Sequence, residues 1–276
     1  MKNQFVAIIL IVLAVCLAGC LHLPEHTADP SQMTEDTSSA NIPETTEAEI
    51  PETTEAEVTE TTAPPETEPE HSELYIEGLD VEDVIRYFNE VCLDAEFSEN
   101  GNASLVQKWS TPIYYKVYGT ATEKDIEVFN EFVKWLNTIE GFPGISEAKN
   151  AEPINLRFYF CTNDELLNHL GDNFYGSDGG VTFWYMDNQI YDAIICCRTD
   201  LNQVVRNSVI LEEIYNGLGP VQDTVLREDS IIYSYYSEPQ SLTEVDELIL
   251  KLLYHPDIVC GMDATDCEAV IRQLYY

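Results

Sequence analysis

The residues best suited to chemistry cluster on and just after one predicted helix. They are Glu212, Glu213 and Asn216 on the helix, and Gln222 and Asp223 beyond its end. Two neighbouring carboxyl groups can exchange protons as acid and base, or hold a hard cation. Adjacent helix residues diverge by about 100 degrees, however, so such a pair seldom faces one ligand. Glu212 and Glu213 are therefore candidate catalytic residues, and the other three are candidates for lining a binding cleft.

This helix is predicted to run from Asp200, as the N-cap, to Leu218, because Gly-Pro follows. A helical wheel places its core side at Leu201, Val204, Ser208, Leu211, Tyr215 and Leu218. It places the solvent side at Asn202, Gln203, Arg206 and Asn207. On this wheel Glu212 falls on a largely buried arc and Glu213 points toward the polar boundary. The structural alternative is that Glu212 and Asn216 are satisfied buried polar groups that fix the turn after the helix.

Apolar periodicity outlines the elements that must position these side chains. Helices are predicted at 81–92, 122–139, 164–170, 200–218, 243–254 and 265–274. Strands are predicted at 112–118, 154–161, 181–185 and 190–197. This order predicts one α+β domain over residues 73–276.

Three segments resemble the metzincin metallopeptidases. Residues 212–222 have the layout HExxHxxGxxH, with Glu213 and Gly219 in place and all three His positions changed. Residues 229–233 resemble the Ser-Ile-Met-Tyr turn below the metal, with Ile232 in place of Met. Residues 242–254 resemble the closing Leu-Thr-x-x-Asp…Leu-Tyr helix. The resemblance implies a zincin-like fold: a mixed twisted sheet, a long helix of the active-site type, and a helical C-terminal part.

The pattern is closer still to an uncharacterised family of exported bacterial domains, over roughly residues 90–276. Its hallmarks here are the Glu-Glu-x-x-Asn helix, the Asp-Ser-Ile turn, and the ending Leu-Thr-x-x-Asp…Leu-Tyr-x-Pro…Gly-Met. The chain thus looks like a degenerate metallopeptidase that has lost its zinc-ligand histidines.

The changed positions determine the expected chemistry. Zinc hydrolases need imidazole ligands, whereas Glu212, Asn216 and Gln222 offer oxygen or amide groups, so no metal and no cofactor is expected. The predicted function is a catalytically inactive domain that binds a peptide, glycan or protein partner beside Glu212, Glu213 and Tyr233. The main alternative is an extracytoplasmic hydrolase with zinc-independent chemistry at the two glutamates. A calcium site helped by Asp223 is a further alternative.

The tyrosines at 233, 235 and 236 also leave two interpretations open. They can form a stacking platform for sugars or peptides, or pack alternately over the helix.

Residues 1–20 have the pattern of an export signal. Lys2 precedes an apolar run at 5–15 that is too short for a comfortable membrane span. The Leu-Ala-Gly-Cys that ends at Cys20 resembles the bacterial lipobox, in which the Cys becomes the acylated first residue. We therefore predict a lipoprotein signal peptide, lipidation at Cys20, and a lipid-anchored protein at the cell membrane that faces outside the cytoplasm. An uncleaved anchor helix is the alternative.

Residues 21–72 contain fourteen Asp and Glu residues and no Lys or Arg. The octamer Ile-Pro-Glu-Thr-Thr-Glu-Ala-Glu occurs at 42–49 and again at 50–57. This composition is typical of a disordered acidic tether, although a segment that recruits a cation or a basic partner is an alternative. The whole chain has a net charge of −37, which excludes a nucleic-acid partner because phosphate would repel it.

Six thiols remain in the folded part: Cys92, Cys161, Cys196, Cys197, Cys260 and Cys267. An exported location permits disulfides, and fifteen pairings leave the connectivity open. Cys260 and Cys267 enclose a short loop and are the easiest pair. Cys196 and Cys197 are expected on opposite faces of one strand. Buried free thiols are the alternative.

Overall fold

The computed structural model describes residues 7–10, 72–93, 105–150 and 152–276, all of which belong to one compact unit. The strands are β1 (Ala7–Leu10), β2 (Lys108–Trp109), β3 (Ile113–Gly119), β4 (Ile145–Glu147), β5 (Leu156–Cys161), β6 (Gly179–Met186) and β7 (Gln189–Arg198). The α-helices are α1 (Val81–Leu93), α2 (Glu123–Leu136), α3 (Asn163–Leu170), α4 (Gln203–Asn216), α5 (Glu244–Tyr254) and α6 (Ala264–Tyr275).

The strands form one mixed sheet in the order β1-β6-β7-β5-β3-β4, with β2 paired to β7. The pairs β7–β5, β5–β3 and β3–β4 are parallel, whereas β6 is antiparallel to both β7 and β1. Between β6 and β7, Asp187 and Asn188 have positive φ angles of 52° and 62°, as a two-residue hairpin turn requires. A mixed sheet with helices confirms the predicted α+β class.

Strand alternation divides the apolar residues between the two faces of the sheet. Phe158 and Phe160 of β5 join the main core. Cys161 belongs to a smaller cluster with Leu166 of α3. The sheet is therefore covered on both faces, with α4 contacting β6 and β7 from the main-core side.

Most predicted elements are confirmed to within a few residues, and the differences have local causes. The α4 N-cap is Asn202, whose side chain accepts from the Val204 and Val205 amides, and not Asp200. Asp200 instead pairs with Arg198 at 2.8 Å. The strands β2 and β4 are too short to show an alternating pattern, and sequence analysis missed both.

The predicted wheel of α4 is wrong at several positions. Val204 is 46% exposed, whereas Arg206 and Asn207 are buried. The cause is α2, which packs along the side of α4 that the wheel assigned to solvent. There the Arg206 guanidinium lies 3.0 Å from the carboxylate of Asp125, a fully buried residue.

Part of the N-terminal prediction lies outside the described residues, namely Cys20 and the tether up to residue 71. Within the predicted leader, the described residues are those of β1, which align with Thr182 to Tyr185 of β6. None of the helices in the described ranges is long and apolar enough to cross a membrane.

Candidate functional site

A pocket of about 270 Å³ opens along one side of α4, from Val205 to Glu213. Three segments line it: the start of β6, one side of α4, and the loop that contains Tyr233. Its polar lining comprises Ser177, Asp178, Ser208, Glu212, Glu213, Asp223, Tyr233, Ser234, Tyr235, Tyr236 and Ser237. Four carboxyl groups and three phenol rings thus share one opening. None of the described residues that line it is a Lys or an Arg.

The pocket brings together only some of the candidate residues. Glu212, Glu213 and Asp223 line it together with Tyr233. Asn216 lies one turn beyond Glu212 on the same helix, but neither it nor Gln222 is among the described lining residues. The helix therefore contributes two adjacent glutamates to one opening. This differs from the expectation, because neighbouring side chains on a helix point in different directions and seldom face one ligand.

The predicted environments of the two glutamates are reversed in the structure. Glu213 is only 2% exposed, whereas Glu212 is partly exposed. Glu213 faces the start of β6, where Gly179 leaves room for it. A Cβ atom at Gly179 would lie 2.8 Å from Glu213 Oε1 and 2.4 Å from Val209 Cγ1. The helical wheel placed Glu213 near solvent, but β6 covers the side of α4 that carries Glu213.

Burial raises the pKa of the Glu213 carboxyl well above its ordinary value, and the charges of Glu212 and Asp223 raise it further. The pKa of Glu212 is raised in the same way, by burial first and then by Asp223 and Asp178. Burial also raises the pKa of Asp178, although Arg198 opposes the shift from 3.4 Å. These carboxyl groups are close enough to repel one another when ionised. Protons or a bound cation would relieve that repulsion.

Several buried polar atoms near the end of α4 have no hydrogen-bond partner among the described residues. They are Glu213 Oε2, both amide atoms of Asn216, and Gln222 Oε1. Asn216 is 1% exposed, and neither atom of its amide has a partner among the described residues. The expectation that its side chain is satisfied and fixes the turn is therefore wrong. Buried polar atoms without partners are costly, and they commonly mark a functional position.

Aromatic side chains fix the turn after α4 instead. Trp109 Nε1 donates to the Gly217 carbonyl oxygen at 2.9 Å, and the Tyr254 hydroxyl donates to that of Leu218 at 2.7 Å. Gly219 then adopts a φ of 131°, and a Cβ there would lie 2.5 Å from the carbonyl oxygen of Gln107. Glycine at this position is therefore required by geometry as well as by space.

One buried carboxylate joins two of the sequence motifs. Asp246, near the start of α5, accepts from Ser230 Oγ at 2.7 Å and from the Ile231 amide at 3.2 Å. It also accepts from the amide and hydroxyl of Thr243, which completes the predicted capping box. The Asp-Ser-Ile turn is thereby held against α5, and the tyrosine loop that follows it is positioned beside the pocket.

The tyrosine loop does not pack over the helix throughout. Tyr235 is 66% exposed and Tyr236 is 63% exposed, and both line the pocket with Tyr233. The rings of Tyr233 and Tyr235 lie 5.4 Å apart between centroids. The loop therefore presents aromatic surface at the rim of the pocket.

The donor set does not fit the zinc that a metzincin would hold. Glu212, Asn216 and Gln222 occupy the ligand positions of the motif, and none of them has the imidazole nitrogen that catalytic zinc sites use. In the described ranges, no three His, Cys, Asp or Glu side chains are grouped as metal ligands. No reaction step through zinc follows from this arrangement.

The β6 side of the pocket was not predicted from the sequence. Asp178 and Gly179 lie more than thirty positions before Glu213, so helix spacing gave no indication of them. The one available signal was the Gly179-Gly180 pair directly before the strand predicted at 181–185, which is typical of a close approach by another chain segment.

The site thus belongs to an α+β domain with an acidic pocket between the start of β6 and the buried helix α4. The sequence pattern of the family described as "Protein of unknown function (DUF2927)" matches residues 81–273, and the chain belongs to that family. No curated protein matches the chain.

Proposed function

We propose that the protein is a surface-anchored lipoprotein whose zincin-like, catalytically inactive domain binds a cationic group of an extracytoplasmic partner. The observation that carries this proposal is the pocket itself, in which one oxygen of the buried Glu213 lacks a partner among the described residues and three further carboxyl groups share the opening. The partner classes expected from the sequence are a peptide, a glycan or a protein. A lysine or arginine side chain of a peptide fits the pocket best.

The negative charge of the pocket favours a cationic ligand. An ammonium or guanidinium group supplies only hydrogen-bond donors, and carboxylates supply only acceptors. A cation in the pocket would replace the mutual repulsion of Glu212, Glu213 and Asp223 with charge-assisted hydrogen bonds. An anionic ligand would be repelled by the same carboxylates.

The size and rim of the pocket agree with such a ligand. A volume of about 270 Å³ lies slightly below the usual range for sites of small molecules, which suits one side chain better than a whole metabolite. Tyr233, Tyr235 and Tyr236 can pack against the aliphatic stem or the charged head of that side chain.

The edge of the sheet favours an extended peptide among the partner classes. The outer edge of β6 pairs with the residues of β1, which belong to the predicted signal peptide. Removal of the leader would leave that edge open to another antiparallel strand. The pocket begins at Gly179, at the start of the same strand.

The test is calorimetric titration of the full-length protein with N-acetyl-Ala-Lys-Ala amide and with the same peptide acetylated on the lysine side chain. We expect the charged peptide to bind at least about tenfold more tightly, a difference of about 1.4 kcal/mol. Its affinity should rise between pH 5 and pH 8, because binding displaces protons from Glu212 and Glu213, whose pKa values are raised.

Two matched variants test whether the lysine peptide binds in this pocket. Glu212→Gln removes a pocket charge and should weaken binding of the lysine peptide about tenfold. Glu127→Gln removes an exposed charge on α2 and should leave binding unchanged. Equal affinity for the charged and acetylated peptides, or equal effects of the two variants, would contradict the proposal.

One observation favours the alternative of a zinc-independent hydrolase. Glu212 and Glu213 both have raised pKa values and line one opening, as general acids and bases often do. Screening fluorogenic peptide and glycoside substrates at pH 5 to 7 tests this alternative. Turnover that is lost in Glu212→Gln would support the hydrolase and contradict an inactive domain.

A further inference from the structure

Two cysteines meet on the central strands of the sheet. Cys161 is the last residue of β5, and Cys196 lies in the neighbouring parallel strand β7. In their register Tyr159 is opposite Cys196, and Cys161 is opposite Arg198. Cys161 is therefore the diagonal neighbour of Cys196, two residues further along β5. Residues two apart on a strand share a face, so both thiols lie on the same face of the sheet.

The surroundings of the two thiols support this placement. Both belong to the small apolar cluster beneath α3, which also contains Leu166, Leu170 and Phe174. Cys161 is 4% exposed and Cys196 is fully buried. Cys197, the next residue of β7, belongs to the main core on the other face. Of the two adjacent cysteines in β7, only Cys196 shares the environment of Cys161.

The two thiols also contact each other directly. A side-chain hydrogen bond with Cys196 lowers the pKa of Cys161, while the same contact and burial raise that of Cys196. A cysteine with a lowered pKa in contact with one whose pKa is raised matches the order of an attacking and a resolving cysteine.

We propose that Cys161 and Cys196 are a redox pair that a disulfide oxidant converts to a disulfide bond between β5 and β7. Cys161 loses its proton to solvent, and its thiolate attacks one sulfur of the oxidant, which releases a thiolate and leaves a mixed disulfide. Cys196 then loses its proton to solvent, and its sulfur attacks the Cys161 sulfur and releases the second thiolate. Two protein thiols are oxidised, and one disulfide is reduced to two thiols.

Burial determines when the reaction occurs. Because both residues are shielded by α3, the oxidant must reach them during folding or when this eight-residue helix moves away. The bond would then fix β5 to β7 at Cys196, the residue that pairs with Gly180 of β6. It would stabilise the sheet next to β6, the strand whose start lines the acidic pocket, without occupying the pocket.

Peptide mapping tests the proposal on the full-length protein. The protein is refolded with a mixture of oxidised and reduced glutathione, its free thiols are blocked with N-ethylmaleimide, and it is cleaved with trypsin. One tryptic peptide, residues 158–198, contains Cys161, Cys196 and Cys197. Cleavage after Glu165 separates Cys161 from the other two. We expect the two fragments to stay joined until a reductant is added, with one maleimide on the remaining cysteine.

Adjacent substitutions provide the matched control. Cys196→Ala should abolish the joined fragments, and Cys197→Ala should retain them. Reduction should lower the Tm of the wild type by several degrees and leave that of Cys196→Ala unchanged. Maleimide on Cys161 of the oxidised wild type would overturn the proposal. A linkage through Cys197, or oxidation confined to Cys260 with Cys267 or to Cys92 with Cys267, would overturn it as well.

Discussion

Glu213 of α4 faces the start of β6, and one of its carboxyl oxygens has no hydrogen-bond partner in the described part of the chain. Its folded-state pKa is raised above the ordinary value near 4.5, so the folded protein holds this proton more tightly than the unfolded chain does. The stability from this group is fully present below pH 4.5 and is lost as the pH rises toward the folded-state pKa. A residue that lowers stability near neutral pH is typical of a site kept for function.

Glu213→Gln should therefore stabilise the protein near pH 7.5 and should give no gain near pH 4. The amide keeps the shape of the side chain but cannot ionise, so its stability should depend less on pH. We expect a gain of about 1–2 kcal/mol, which corresponds to several degrees in Tm for a domain of this size. Thermal melts at intervals from pH 4 to pH 8 measure it, with the exposed Glu127→Gln as the control. Parallel curves for Glu213→Gln and the wild type would show that the buried carboxyl does not contribute as described.

At the scale of elements, Asp246 links α5 to the turn that precedes the tyrosine loop. Its carboxylate accepts hydrogen bonds from Ser230, Ile231 and Thr243 while it is fully buried. Tyr87 of α1 donates to the same carboxylate at 3.2 Å. A single side chain thus fixes the relative positions of two helices and one turn.

Asp246→Ala should destabilise the protein by about 3 kcal/mol or more. The substitution removes the capping box and leaves buried donors without an acceptor. Denaturant unfolding measures the loss, and the matched control is Glu244→Gln, an exposed acid two residues earlier in α5. The control should stay within about 0.5 kcal/mol of the wild type. A similarly small loss for Asp246→Ala would mean that the turn and the helix are held independently.

The same elements show what the sequence could predict. The Thr243 and Asp246 spacing predicted the start of α5, because a capping box depends on residues three apart in one helix. The orientation of α4 was not predictable in this way, since periodicity assumes one solvent face and α2 packs on that side through Asp125 and Arg206. The β6 wall of the pocket depends on strand pairing across the chain. Local spacing carries no information about such pairing.

At the scale of the whole molecule, the acidic charge bears on which partners the protein attracts. Residues 73–276 alone carry a net charge of −24, and residues 21–72 add fourteen acidic groups. A strongly acidic protein attracts cationic partners over a distance that salt shortens. Binding of the lysine peptide should therefore weaken as ionic strength rises, through the association rate above all.

We expect Cys20 to anchor the protein in the membrane. Cys20→Ala removes the only sulfur at the lipobox position, so acylation should be lost and the protein should leave the membrane fraction. Cys16→Ala changes the cysteine that directly follows the apolar run, and it should leave both acylation and fractionation unchanged. Detergent-phase partition and mass spectrometry of the mature N-terminal peptide measure the two outcomes. One acyl chain alone gives only marginal membrane binding, so a diacylated cysteine is needed to hold the protein stably. If Cys20→Ala stays in the membrane fraction with residues 1–19 still attached, the apolar run is an uncleaved anchor and the lipobox resemblance is coincidental.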